Sequence, residues 1–318
     1  MFVGLLCLSV PVVWLLIMVV GPRLVLRWGR LRRDGLDPRL VATGRDVRAS
    51  VVIAARDEEA AIGDRLDNLF AAQQPAGGLQ IVVVSDGSRD QTEQRVADAR
   101  KRCPAHIDLE LVVCPQSIGK EAALAKGFSA VTGDVVGLTD ATTRWEPDTL
   151  VKLVARLCED GVGAASGKVR YGASAGGTAQ AFSSYQRYVV SVRSAGARRD
   201  MQVSTSGACS MIWRSCLEGY DPGLNSDLQL ALLAAEHGLG TAYVADAVAW
   251  EDTAATRAAQ VRMRTRIIRL CLLSIPQVVR RMVRAEQWAL LARFVALKLT
   301  RWTLCVPVVV GLAGWVLV

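Results

Sequence analysis

Four short polar clusters carry the residues that could do chemistry: Asp57 with Glu58, Asp86, Lys120 and Asp140. Asp140 shows the pattern. Residues 135–138 are an apolar, β-branched run long enough for one buried strand, and the run stops at Thr139 and Asp140. Pro147 then stands where a helix's first turn tolerates proline, and Leu150, Leu153, Val154 and Leu157 recur at helical spacing. Asp140 therefore falls between a strand end and the next helix, where open α/β sheets bind ligands. Aspartate is also common in turns for local reasons, so on this stretch alone the two readings stand level.

The same pattern occurs three times earlier. SVVIAA (50–55) predicts a strand that ends in RDEEAAI, with Ile62, Leu66, Leu69 and Phe70 as the stripe of a following helix. Residues 79–84 predict a second strand, ending in SDGSRD. Residues 109–113 predict a third, after which SIGKEAALAKGF opens a helix. Strands alternating with helices predict an α/β fold whose mostly parallel sheet is covered on both faces. Asp57-Glu58, Asp86, Lys120 and Asp140 would then share one edge. Carboxylates and a lysine in one crevice suit a nucleotide diphosphate with its metal. Mg2+ takes one or two protein carboxylates and completes its shell from phosphates and water. Lysine supplies a point charge to phosphate. The chain has no G-x-x-x-x-G-K-[ST] loop and no G-x-G-x-x-G after the first strand, which disfavours the two nucleotide folds that carry those signatures.

Charge is unevenly placed. The 318 residues carry a formal net charge of +8, but residues 23–48 hold +5 and residues 257–301 hold +10, leaving the middle at −7. The basic balance belongs to the flanks, which argues against a nucleic-acid partner for the globular body. Residues 1–22 and 302–318 carry no charged side chain. The first run is long enough to span a bilayer and the second is marginal. Arg23, Arg27, Arg30, Arg32 and Arg33 follow the first run directly, which by the positive-inside rule places the following domain in the cytoplasm at the plasma membrane. The first run has no basic leading region and no small-residue cleavage site, so a signal peptide is disfavoured; a buried core helix is the alternative for the second. Eight scattered cysteines with no Cys-x-x-Cys pair, and only His106 and His237, leave little basis for a disulfide framework, a zinc site or a histidine triad.

Taken in order, VVIAARDEE, IVVVSDGSRDQT, GKEAALAKG and GDVVGLTDAT resemble the family-2 glycosyltransferases of the GT-A fold, over roughly residues 49–269. The resemblance implies that Ala54, Arg56 and Glu58 border the nucleotide base and ribose, that Asp86 contacts the base, and that Lys120 reaches the diphosphate. Asp140 would be the first acid of a D-x-D motif that holds Mg2+ or Mn2+. Three positions depart from the family pattern. Asp57 stands where asparagine is usual, Ser85 replaces the first acid of D-D-G-S, and Thr142 replaces the second acid of D-x-D.

The second half supplies the acceptor side. In the family the segment at Ser206, Gly207 and Ala208 lines the acceptor pocket, and the acid before the next helix, here Asp227, is the catalytic base. The alternative is that Asn225, Ser226 or Asp227 caps the helix that Gly238 ends. Polymer-extending members carry Q-x-x-R-W near RAAQVRMRTRIIR; neither register completes it here, and the better one has Arg262 reaching the diphosphate. Arg257, Arg262, Arg266 and Arg269 also suit a basic face on anionic lipid headgroups. Pro276 is expected to break that helix.

The organisation implied is a membrane helix (1–22), a basic linker (23–48) and a GT-A domain (49–256) with donor half 49–150 and acceptor half 151–256. Basic interface helices (257–301) and a second membrane segment (302–318) complete it. The implied activity is inverting transfer of a sugar from a nucleotide sugar, a UDP-sugar by resemblance, to a lipid-linked or glycan acceptor. Two spans cannot enclose a polar path, so either the product stays short or lipid-linked, or subunits associate into a homo-oligomer. The rivals are a catalytically silent nucleotide- or glycan-binding subunit and a nucleotidyltransferase that releases pyrophosphate.

Overall fold

The computed structural model describes residues 46–172, 202–251 and 257–299, with the backbone alone for 257–264 and 266–268. The apolar runs 1–22 and 302–318, most of the linker, and residues 178–198, where Phe182, Tyr185, Tyr188, Val189 and Val192 predict an apolar-faced helix, lie outside the described residues. No helix among the described residues is long and apolar enough to cross a membrane. The described residues fall into two compact units, one ending at Ser274 and the other beginning at Ile275.

The first unit is built on one eight-stranded sheet. Four strands come from the expected runs: β1 (Ala49–Ala55), β2 (Leu79–Asp86), β3 (Ile107–Cys114) and β4 (Val135–Thr139). All four are parallel, in the order β3-β2-β1-β4. Helices α1 (Ile62–Phe70), α2 (Thr92–Lys101) and α3 (Lys120–Ala130) connect them. β2 is buried at every position, as expected for a strand covered on both faces. The edge strand β3 is only partly covered. Gly127 lets α3 lie close on the sheet: a Cβ there would stand 2.5 Å from Val52 Cγ1 and 3.1 Å from Val84 Cγ2.

The second half departs from the parallel expectation. β5 (Thr143–Trp145) follows Asp140 directly, ahead of α4 (Thr149–Leu157), so Pro147 precedes that helix and does not lie in its first turn. β6 (Val162–Tyr171), β7 (Ser210–Trp213) and β8 (Gly240–Glu251) complete the order β3-β2-β1-β4-β7-β6-β8-β5. β7 runs antiparallel to both β4 and β6, and β5 antiparallel to β8, which makes the sheet mixed. Only three residues join β4 to β5, although three strands separate them in the sheet. Adjacent strands lie about 4.8 Å apart and the linking chain reaches at most about 14 Å, so this half curls back toward β4. Trp145 marks the closure: its Nε1 donates to the Ala208 carbonyl at 2.9 Å, and Thr139 Oγ1 donates to the same oxygen at 3.1 Å.

α5 (Ser226–Glu236) ends at Gly238, whose φ of 71° is a left-handed conformation that glycine accepts without strain. α6 (Arg257–Arg284) runs through Pro276, contrary to the expected break. Proline removes one N–H bond from a helix, and the bonds on either side carry this one past it. Ser274 Oγ also donates to the Leu270 carbonyl at 2.8 Å. In the second unit, Val278, Met282, Leu290 and Phe294 are buried on α6 and on α7 (Trp288–Phe294).

Candidate active site

Parallel pairing of β1, β2 and β4 brings their C-terminal ends to one edge, as expected. Just beyond β1, Asp57 has φ 54°, a left-handed conformation that asparagine and aspartate tolerate better than other side chains. That accounts for either residue at this position. Its Oδ1 accepts from the Arg89 N–H at 2.8 Å, Glu58 N–H donates to Thr92 Oγ1 at 2.8 Å, and Glu59 N–H donates to Asp90 Oδ2 at 3.0 Å. The loops after β1 and β2 are thus laced together. Ser85, in place of an acid, is fully buried and donates to Glu93 Oε1 at 2.8 Å.

Asp86 is 4% exposed and turned toward the loop before α3. Its Oδ1 accepts from Ile118 N–H at 2.6 Å; its Oδ2 accepts from Gly119 N–H at 3.1 Å and Ser117 Oγ at 3.0 Å. Arg56, just past the end of β1, donates to Ser117 Oγ at 2.9 Å, and Ala54 near that end is half-buried. Gly87 allows the close approach: a Cβ there would lie 2.4 Å from Ser117 N. Asp86 thereby shapes the turn that presents Lys120 as the first residue of α3. That helix start has no side-chain cap, so its N–H groups remain available to an anion.

Lys120 Nζ donates to Asp140 Oδ1 at 2.5 Å; the lysine side chain is 41% exposed and the aspartate 31%, so a ligand can reach the pair. Burial works against the ammonium, but the charge of Asp140, its hydrogen bond and then the charge of Asp227 hold its pKa above the ordinary lysine value. The carboxylates around it feel one another. Glu58 is raised by burial and next by Asp140. Glu251, at the end of β8, is pushed up to about 7 by burial, then by Asp140, with Asp227 adding to the same side. Asp227 lies across a narrow gap from Lys120. A Cβ built on Gly207 would stand 3.1 Å from Asp227 Oδ1 and 3.5 Å from Lys120 Nζ. The segment with Ser206, Gly207 and Ala208 is tied to the same residue, since Thr205 N–H donates to the Asp227 carbonyl at 2.8 Å. Asp227 is the second residue of α5. Asn225 holds the N-cap position and its side chain makes no cap bond, so Asp227 is not the helix cap.

A buried arginine supports the strand ends. Arg65 is 1% exposed, donates to Thr139 Oγ1 at 2.9 Å, and stacks 4.9 Å above the Trp145 ring. Burial brings its guanidinium down to about 9, against the pull of Cys209 and Asp140. Asn68, one turn along α1, bonds both the N–H and the carbonyl of Trp145 at 2.9 Å.

Asp140, Lys120, Asp227, Glu58 and Gly207 are therefore brought together. Arg262 lies where only backbone is described. Sequence reasoning missed Glu251, Arg65 and Glu121. Glu251 stands opposite Thr143 in the β5–β8 pairing, next to the acid-deficient Thr142, and only the unforeseen β5 puts it there. Asp140 offers carboxylate oxygen, the hard donor that a Mg2+-type cation takes, although Lys120 shares one of its oxygens. Among the described residues no three acidic, histidine or cysteine side chains stand close enough to hold a metal alone, so such an ion would need its remaining ligands from phosphate and water.

Solved structures share this fold. The mannosyltransferase PcManGT of Pyrobaculum calidifontis, in complex with GDP-Man and Mn2+, superposes with a TM-score of 0.72 at 22% identity, covering 97% of this chain and 85% of that one. Residues 1–349 of S. aureus TarS with UDP-GlcNAc give a TM-score of 0.55 at 15% identity over 80% and 75% of the two chains. The fold is thus the GT-A type of glycosyltransferases. Residues 47–269 match the glycosyltransferase-like family 2, and the chain belongs to that family. An undecaprenyl-phosphate 4-deoxy-4-formamido-L-arabinose transferase of Enterobacter sp. (strain 638) is 31% identical over 113 residues, 35% of this chain and 34% of its own length. An N-acetylglucosaminyltransferase of Mesorhizobium japonicum is 27% identical over 198 residues, 57% of this chain and 45% of its own length. The chain thus spans less than half the length of either relative.

Proposed function

We propose that this glycosyltransferase moves a sugar, with inversion, from a UDP-sugar to a lipid-linked or glycan acceptor at the cytoplasmic face of a membrane. The observation that carries the reading is the gap at Gly207, which Asp227 Oδ1 and Lys120 Nζ both border. An acceptor hydroxyl there gives its proton to Asp227 while its oxygen bonds to the anomeric carbon. The bond from that carbon to the diphosphate oxygen breaks, and its electron pair leaves with the nucleoside diphosphate. Lys120 and the free N–H groups of α3 stabilise that developing charge. Ala54, Arg56 and Glu58 border the nucleoside, Asp86 holds the loop beneath it, and Arg262 is assigned to the diphosphate from its place in the motif alone. Asp140 would hold a divalent ion, which when bound would supply Lewis-acid stabilisation of the leaving group.

Two observations support the membrane placement. In the first unit Leu273 is 69% exposed and Arg269 is exposed; in the second Trp288 is 56% exposed, and Arg280 and Arg284 are exposed. Exposed apolar side chains with arginines suit an interface with anionic lipid. One relative is also named for a polyprenyl phosphate.

The decisive experiment incubates the 318-residue chain in liposomes with a panel of UDP- and GDP-sugars, nucleoside triphosphates and polyprenyl acceptors, with Mn2+ and with excess EDTA. Nucleoside diphosphate release that needs the cation supports the reading. Pyrophosphate release from nucleoside triphosphates would make it a nucleotidyltransferase. UDP binding without turnover would make it a silent subunit.

A further inference from the structure

Glu121 is a buried carboxylate that the proposed reaction does not use. It is 8% exposed and follows Lys120 on α3. Its Oε2 accepts from the Tyr220 hydroxyl at 2.7 Å, and its Oε1 accepts from Ser226 Oγ at 3.3 Å. Ser226 immediately precedes Asp227. One carboxylate thus joins the residue after the lysine to the residue before the aspartate, across 105 positions of chain.

The contacts close into a ring. Phe128, two turns along α3 from Glu121, meets the Tyr220 ring edge-on, with centroids 4.8 Å apart at 85°. Tyr220 is therefore gripped by α3 at both its hydroxyl and its ring. Its neighbour Asp221 is tied to α5, since Gln229 Oε1 accepts from the Asp221 N–H at 2.5 Å and Gln229 Nε2 donates to the Asp221 carbonyl at 3.0 Å. From Glu121 the path runs through Tyr220, Asp221, Gln229 and Ser226 and returns to Glu121. It bolts the first turn of α3 to the first turn of α5. Keeping a carboxylate out of water is costly, and an apolar pair would pack the same space with less penalty. What the carboxylate provides is two directed acceptor positions.

We infer that Glu121 is a positioning residue that fixes Asp227 against Lys120, so that proton acceptance and leaving-group stabilisation act on one bound sugar. The inference rests on the roles proposed for those two residues. A misplacement of about 1 Å between reacting groups costs on the order of 10²-fold in rate.

The test compares Glu121→Leu with Glu121→Gln. Glutamine keeps the shape; its carbonyl can take the Tyr220 hydroxyl and its amide can donate to Ser226 Oγ. Three quantities are measured well below the melting temperature of each variant. They are UDP affinity, kcat and KM with the active donor, and amide exchange of Thr205, Leu228 and Gln229, whose N–H groups report on Asp227 and the start of α5. The expected result for Leu is a kcat lowered on the order of 10²-fold, UDP affinity close to wild type and faster exchange at the three amides. Gln should recover most of kcat and of the protection. Tyr220→Phe and Ser226→Ala should each show part of the Leu effect. Wild-type kcat and exchange in Glu121→Leu, with only a lower melting temperature, would overturn the inference, as would equal losses in Leu and Gln. If the wild type transfers no sugar from any donor, the functional reading has failed, and the exchange data alone decide whether Glu121 holds Asp227.

Discussion

Lys120 Nζ and Asp140 Oδ1 lie 2.5 Å apart, so an ammonium holds the acid proposed to bind the metal. The lysine thus neutralises the site and competes for the same oxygen as a divalent ion. Lys120→Met should act with opposite signs on two ligands. UDP should bind on the order of 10- to 100-fold more weakly, the usual effect of losing a charged hydrogen bond. Mn2+ alone should bind more tightly than to wild type. Calorimetry with UDP and paramagnetic titration with Mn2+ read the two effects separately; a change of the same sign in both would contradict the competition.

Asp227→Asn separates two acceptor chemistries. With a hydroxyl acceptor the variant should lose about 10²–10⁴-fold in kcat, because the hydroxyl proton must go to a base. A phosphomonoester acceptor is largely ionised at neutral pH, with a second pKa near 6, and has no proton to lose, so the same variant should transfer to it nearly normally. Stability should fall by no more than about 1 kcal/mol, the loss of a favourable charge in a helix's first turn. Turnover on matched alcohol and phosphate lipids, with melting curves on the same preparation, checks this; a wild-type rate on a hydroxyl acceptor would remove Asp227 as base.

Asp86→Ala should weaken UDP binding through the loop and should lower stability at the same time. It leaves the Ile118 and Gly119 N–H groups without their acceptor, at about 1–3 kcal/mol for each group left unsatisfied. Asp86→Asn keeps one acceptor oxygen and should fall between alanine and wild type. Thermal melts and UDP titration on all three proteins give the order. An alanine variant with full stability would mean that the loop is held by other contacts.

Glu251 makes stability depend on pH. Its folded pKa is pushed up to about 7, by burial first, from an ordinary 4.5, so the folded protein binds the proton more tightly than the unfolded chain. This group's contribution is therefore most favourable below about pH 4.5, is lost as pH rises toward 7, and stays lost above it. Glu251→Gln should melt higher than wild type at pH 8 in EDTA, by on the order of 2–3 kcal/mol, with the difference shrinking toward pH 5. Paired melting curves at the two pH values test the sign. A destabilised variant at pH 8 would show that the charge is compensated in the fold.

The sequence by itself determined the donor half. Strands β1, β2 and β4 are largely apolar runs with β-branched residues, and their polar ends at Glu58, Asp86 and Asp140 are legible because burial on both faces leaves mostly the strand termini for charged side chains. Parallel connection then forces those ends to one edge. The motif marks Asp227 only as a candidate, and its position past the N-cap was not legible, because an N-cap is a matter of backbone dihedrals. Only the tertiary structure decided the acceptor half. β5 is three residues long and β7 four, too short to show a period, and their pairing depends on partners far along the chain. That pairing alone brings Glu251 opposite Thr143 and ties Trp145 to the Ala208 carbonyl. Arg65 and Glu121 were invisible for a related reason. A charged residue on a helix is ordinarily solvent-facing, and these two are buried where Thr139 and Asn68 accept from the Arg65 guanidinium and Tyr220 and Ser226 donate to Glu121, contacts that mostly come from distant segments.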